Sequence, residues 1–345
     1  MRDSILYSSI RALFVAFCVV IGLSLGIIFI SVLLGMSSSS TPENKLNTVY
    51  TEEILPNADG KREMLASNVP VILQVNINGI IGLDELDTQT VQKKLVESRE
   101  GVLANNRVKA LLLHINTPGG TVFDADGIFN AIMAYKHKYN TPVYAYVDGL
   151  CASGGMYVAL AADKVFASDT SLIGSVGVIA PAFFNVTKLM EKIGVDALVI
   201  SAGKDKDALN PVRPWKDGED ENYRNIVDYY YNHFVNLVTT HRPKISKEAL
   251  VQQYGAQVFP APEAVKIGFI DQTVDSVADA MRALLTEVGI TTDQYQVVNL
   301  ENKNWWRSLF GDKMSAPLGT IQHKVSFSPQ IDVLLSNQYL YLYTH

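Results

Sequence analysis

Only two cysteines occur in 345 residues, Cys18 and Cys151, so no disulfide framework supports this chain. No Cys/His spacing of the kind that holds zinc is present, and neither a metal nor a cofactor is expected. A long basic block is also missing. Lys and Arg number 29 against 35 Asp and Glu, a net charge of −6, which argues against nucleic acid as a partner because phosphate binding needs clustered cations. Histidine is scarce, and none of the six (His114, His137, His233, His241, His323, His345) falls between Ser153 and Tyr231. What the chain has is apolar residues, 48% of the total, enough for a substantial core and for one large or two ordinary domains.

Residues 12–36 carry no charge and are rich in Val, Ile, Leu and Phe, long enough to cross a bilayer as a helix. The run exceeds the apolar core of a cleavable signal peptide, and no small-x-small site follows it, so an uncleaved anchor in contact with membrane lipid is expected. Arg2 and Arg11 precede it and no Lys or Arg follows until Lys45, which places residues 1–11 in the cytoplasm and the remainder outside. Residues 37–68 are polar, with Pro42, Pro56 and Gly60, and read as a juxtamembrane linker. A globular domain is expected over 69–290, followed by an extension over 291–345 that includes Trp305, Trp306 and tyrosines from Tyr339 to Tyr343.

Within the domain, strand patterns at 71–77, 108–115, 142–147 and 164–167 alternate with helical patterns at 88–97, 122–139 and 153–162. A long helix is expected over 223–241, and 197–200 looks strand-like. Such alternation predicts an α/β fold with a mainly parallel sheet, whose ligands bind at the carboxyl ends of the strands. Two Gly-Gly turns fall there: Thr117-Pro118-Gly119-Gly120, and Ser153-Gly154-Gly155.

A serine followed by two glycines can sit on a sharp turn and leave a backbone N–H aimed at an oxyanion, which makes Ser153 a candidate nucleophile. Its base is open at this level. A distant histidine could serve, although His114 reads as a sheet histidine and His137 and His241 as solvated ones. A lysine could serve if burial favoured its neutral amine, and Gly203-Lys204-Asp205-Lys206-Asp207 supplies two, in a segment that otherwise reads as a charged loop. Cys151 beside the nucleophile reads as a small buried residue.

Thr117-Pro118-Gly119-Gly120, Ala152-Ser153-Gly154-Gly155, Gly174-Ser175-Val176-Gly177-Val178 and Gly203-Lys204-Asp205-Lys206-Asp207 stand in that order. With Gly255 to Asp271, which ends in Ala-x-x-x-Gly-x-x-Asp, they resemble the signal peptide peptidase A (protease IV) family of membrane-bound serine proteases. The resemblance covers about 69–271. It implies a fold of the caseinolytic protease (ClpP)/crotonase kind, with repeated β-β-α units. It implies a Ser/Lys dyad in which Ser153 is the nucleophile, Lys206 the general base and Ser175 a partner of the lysine. The backbone N–H groups of Gly120 and Gly154 would form the oxyanion hole. It also implies homo-oligomers, in some members with sites built across subunit boundaries.

Asp205 stands where the family commonly carries an aromatic residue and puts carboxylates on both sides of Lys206, so Lys204 is kept as an alternative base. The expected function is a membrane-anchored serine endopeptidase of the bacterial cytoplasmic membrane, acting outside it on signal peptide remnants or other extended apolar peptides. An inactive peptide-binding scaffold of the same fold and a crotonase-like acyl-CoA enzyme are the alternatives.

Overall fold

The computed structural model describes residues 50–302 and 340–343, together with Val15, Phe17 and Gly22. The chain divides into two units, 1–48 and 49–345, and the second contains every strand described below. Apart from those three residues, the anchor expected at 12–36 lies outside the described residues, as does most of the C-terminal extension. Among the described residues no helix is long and apolar enough to cross a membrane.

The centre of the fold is a sheet built on β2 (Val71–Asn78), β3 (Val108–Thr117), β5 (Val143–Ala152) and β6 (Lys164–Ala167), all parallel to one another. These strands read as almost continuous apolar runs because both faces of the sheet are covered. Leu111, Leu113 and Ile115 of β3 pack into one layer, with α1 (Thr88–Glu97), α2 (Val122–Tyr139), α3 (Gly154–Ala159) and α5 (Glu221–His241). Ala110 and Leu112 face the other layer, where α7 (Val277–Glu287) contributes Ala280, Met281, Leu284 and Leu285.

Local chemistry sets the helix ends. Asp87 caps α1 by accepting from the Thr90 N–H at 2.7 Å, and Thr121 caps α2 by accepting from the Asp124 N–H at 3.0 Å. α2 stops at Asn140, which adopts the left-handed conformation with φ 49°. α7 begins with a reciprocal box between Ser276 and Asp279.

Several elements extend or replace the expected ones. β5 runs on from Val147 to Ala152, so it delivers Ser153 directly from its carboxyl end. Tyr50–Leu55, within the segment read as a linker, is an edge strand, β1. Gln296–Asn302, within the segment read as an extension, is β10, inserted between β1 and β2. The strand-like run at 197–200 is not a strand: its residues are exposed, Leu198 at 87% and Ile200 at 88%, and pair with no strand among the described residues. The shorter elements include β4 (Gly119–Thr121), β7 (Leu172–Gly174), α4 (Thr187–Ile193), β8 (Val258–Pro260), α6 (Ala261–Ile267) and β9 (Gln272–Thr273). A last strand, β11 (Leu340–Leu342), pairs antiparallel with β4.

Candidate active site

Adjacent parallel strands bring the two Gly-Gly turns together. Thr117 of β3 stands opposite Cys151 of β5, so the turns that come after them emerge side by side. Their contact is too close for side chains. A Cβ on Gly119 would lie 2.6 Å from the Gly154 nitrogen, and one on Gly155 would lie 2.5 Å from the Thr117 Cγ2. Glycine is therefore required sterically at both turns, independently of any chemistry.

Ser153 is 1% exposed and takes φ 55°, ψ −113°, a strained backbone for a residue with a side chain. Its N–H donates to the Gly174 carbonyl at 2.9 Å, and its own carbonyl accepts from Tyr157 as α3 begins. The result is a strand-to-helix elbow that lifts the hydroxyl off the sheet. β7 pairs with β5 so that Ala152 faces Gly174, which sets Ser175, also at positive φ (56°) and 4% exposed, beside the elbow.

The backbone donors at the first turn sort themselves by use. The Gly119 N–H is taken by the Thr117 hydroxyl at 3.0 Å, and the Thr121 N–H by the Ile81 carbonyl at 3.0 Å. Ile81 in turn donates to the Gly119 carbonyl. Gly120 pairs in register with Tyr341 of β11, and a Cβ on Gly154 would lie 3.2 Å from the Gly120 nitrogen. Thr117, quoted above only as the first residue of the Thr-Pro-Gly-Gly motif, thus acts as the residue that orients the turn.

Cys151 is fully buried, and that burial pushes its thiol up to about 12, so it stays protonated and unreactive at neutral pH. His114 lies on the opposite face of β3 from the α2 layer, stacked on Tyr146 and 3.8 Å from the Asp148 carboxylate. Burial holds it below its ordinary value. His241, expected to be solvated, is half-buried against the Phe129 ring. No histidine contacts Ser153 among the described residues.

The lysine segment makes no hydrogen bond or ion pair with the elbow among the described residues. Residues 203–209 form turns rather than an extended run, with Asp205 itself at φ 58°. Lys206 is exposed and lines a cleft of about 620 Å³ with Glu219, Asn222 and Tyr223. Neither flanking carboxylate is bonded to it. Asp207 accepts from the Arg213 Nε at 2.8 Å, a bond that holds this carboxyl below its usual range, and Asp205 lies 4.0 Å from the Lys204 ammonium. Among the described residues no hydrogen bond or ion pair joins Lys206 or Lys204 to Ser153.

The Asp271 of the last motif is structural. Its Oδ2 accepts from the Val165 N–H and from the Arg242 Nη1, each at 2.8 Å, and so ties β6 to the end of α5.

Two family models match: that of peptidase family S49 over residues 135–291 and that of Clp protease over residues 70–173. The second covers the parallel strands β2, β3 and β5 and is consistent with a ClpP-like α/β fold. A protein of Enterococcus faecium provisionally named signal peptide peptidase SppA is 25% identical, over 79% of this chain and 81% of its own. A provisionally named protease of Methanocaldococcus jannaschii is 30% identical over 60% of this chain and 64% of its own. The chloroplastic serine protease SPPA of Arabidopsis thaliana is 31% identical over 52% of this chain and only 26% of its own. A solved ClpP1 mutant of Listeria monocytogenes is 18% identical over 60% of this chain and 94% of its own, with a TM-score of 0.40. The four ordered motifs, the family model matched over residues 135–291 and relatives named as proteases in bacteria, an archaeon and a plant agree: the chain is similar to peptidase family S49 over that stretch and is a serine endopeptidase.

Proposed function

We propose that this chain cleaves extended peptides with Ser153 as nucleophile and Lys206 as general base, the two being supplied by neighbouring copies of the chain. The observation that carries this reading is the strained, buried elbow at Ser153, which stands beside the Gly119-Gly120 turn; the backbone N–H groups of Gly120 and Gly154 would serve as the oxyanion donors. In the reaction, the neutral amine of Lys206 takes the Ser153 proton while the serine oxygen attacks the scissile carbonyl. The oxyanion accepts from Gly120 and Gly154, each such donor lowering the barrier by roughly 3 kcal/mol. The lysine then protonates the leaving amine, and water releases the acyl group. Ser175, beside the elbow, holds the incoming ammonium or amine in register. Lys204 is the alternative base.

Sharing the site between copies accounts for two features together. Lys206 is exposed and has no hydrogen bond or ion pair to Ser153 among the described residues, and the apolar run at 197–200 that precedes it pairs with no strand there. An unpaired strand-like segment of this kind suits a neighbouring copy, whose elbow would then receive the lysine. The uncharged segment at 12–36 would anchor the chain in the cytoplasmic membrane with the site outside, next to signal peptide remnants or other extended apolar peptides. The name borne by the Enterococcus relative supports that substrate class.

A complementation assay tests the shared site. Ser153→Ala and Lys206→Ala are each expected to be inactive, whereas mixed assemblies of the two should regain about a quarter of wild-type activity, the share of random interfaces with both groups intact. No recovery from mixed assemblies would place serine and base in one chain.

A further inference from the structure

Lys206 has a carboxylate on each side in the chain, and the structure gives both of them other partners. Asp205 lies 4.0 Å from the Lys204 ammonium. Asp207 is gripped twice by Arg213: its carboxylate accepts from the Nε and its backbone carbonyl from the Nη2, each at 2.8 Å. The same Nη2 lies 2.6 Å from the Glu219 carboxylate, while the Nη1 donates to the Pro214 carbonyl at 2.9 Å. One guanidinium thus ties together the two ends of residues 207–219.

Neighbouring bonds fix that guanidinium in place. The Glu219 side chain is 8% exposed, and its second oxygen accepts from the Leu209 N–H at 3.2 Å. The Arg213 carbonyl accepts from the Asn185 Nδ2 and the Pro211 carbonyl from the Val186 N–H, each at 2.8 Å, which moors the loop to the start of α4. The bond to Arg213 is the first cause that holds both carboxyls, Asp207 and Glu219, below their usual range. A planar fork of donors can serve two carboxylates and two carbonyls at once, which a lysine ammonium at position 213 would not do. Lys206 lies on the clamped turn and lines the same cleft as Glu219, yet it has no ion pair among the described residues. The other charged groups lining that cleft are Lys204, Asp205 and Glu221, and Lys216 acts on Asp207 from the far side of the loop.

We propose that Arg213 is a positioning residue for the base: by claiming Asp207 and Glu219 together, it withholds from Lys206 the carboxylate that follows it in the chain and the one that shares its cleft. The inference rests on the reading of Lys206 as the general base. A base must be a neutral amine when it takes the serine proton, and a loose carboxylate beside it would favour the ammonium. Docking of the turn against a neighbouring elbow would remove water and strengthen any such pairing. Arg213 therefore matters most in the assembled site, where it keeps two negative charges occupied without touching the substrate or the reacting atoms.

The pH profile of kcat/KM for a peptide substrate, measured on the full chain, tests this. Activity of the wild type should rise with pH as the base loses its proton. Arg213→Gln should move the midpoint of that rise up by about one pH unit, a loss of about tenfold near neutral pH that is recovered in alkali. Adding Asp207→Asn and Glu219→Gln to Arg213→Gln should return the midpoint to the wild-type value, because no released carboxylate remains. The triple variant also decides the matter if Arg213→Gln alone does not fold: a wild-type midpoint would sustain the role, and inactivity at every pH would overturn it. A loss in Arg213→Gln that is uniform across pH and persists in the triple variant would likewise overturn it, leaving Arg213 as a tie of the loop alone. Lys206→Ala separates the two readings. If it keeps the wild-type profile, Lys206 is not the base and the role of Arg213 falls with it; if it is inactive while the Arg213→Gln midpoint is unmoved, only the role of Arg213 falls.

Discussion

The backbone N–H of Ser153 donates to the Gly174 carbonyl at 2.9 Å, and this bond locks the end of β5 to the end of β7. Two serines at positive φ are thereby held on adjacent strand ends, each in a conformation that the surrounding bonds impose. If Ser175 serves to position the base, Ser175→Ala should lower kcat by about 10- to 100-fold with KM little changed, the scale expected when a reacting group is misplaced by about 1 Å. Steady-state kinetics on a peptide substrate would check it. A rise in KM with kcat intact would assign Ser175 to substrate binding.

Lys206 and Lys204 are two residues apart on an exposed turn and are chemically alike, so kinetics must separate them. Lys206→Ala should reduce kcat/KM by about 10³-fold or more, within the range for loss of a general base, while Lys204→Ala keeps most of the activity. The reverse pattern would exchange their roles.

Arg242 is 7% exposed, and Asp271 is its carboxylate partner at 2.8 Å. Asp271→Asn should cost about 2–3 kcal/mol in urea unfolding, less than for a fully buried pair because Asp271 keeps contact with water. Reading Asp271 as a catalytic group predicts a different outcome, loss of turnover with stability unchanged.

His114 gives the fold a pH dependence. Burial holds it below the 6.5 of the free side chain, with Asp148 acting in the opposite direction. Below about pH 6.5 the unfolded chain therefore binds a proton that the folded chain refuses, and stability falls as the pH drops toward the folded value. His241 is shifted the same way, by burial first. The urea midpoint should fall between pH 7.5 and pH 5.5 by about the amount that one or two such groups supply, and His114→Gln should flatten the fall. An unchanged slope in that variant would remove His114 as its source.

The strands and helices around the elbow are legible in the sequence because they depend on local pattern. The helices at Thr88–Glu97 and Val122–Tyr139 follow from their caps, and β3 from an unbroken apolar run. Ser153 is legible through its glycines, which the structure shows to be packing requirements as well. β1 and β10 are not, since each pairs with a strand more than two hundred residues away, a relation that no local window contains. The tyrosines from Tyr339 to Tyr343 read in the sequence only as part of an extension, because the partner of β11 is the Gly119–Thr121 turn, far upstream. Thr117 is legible as the first residue of the Thr-Pro-Gly-Gly motif, but its role is not, since it depends on where one hydroxyl falls between Gly79 and Gly119. Lys206 stands out by motif, yet among the described residues no hydrogen bond or ion pair joins it to Ser153, and the supply of the base by a neighbouring copy, as proposed, is a relation that no local window of one chain contains.

The most direct test of the central assignment is to label the protein with a serine-reactive fluorophosphonate and map the adduct by mass spectrometry. A single adduct on Ser153 is predicted, lost in Ser153→Ala and retained in Cys151→Ala, whose thiol is buried and protonated. An adduct elsewhere, or labelling that survives Ser153→Ala, would contradict Ser153 as the nucleophile.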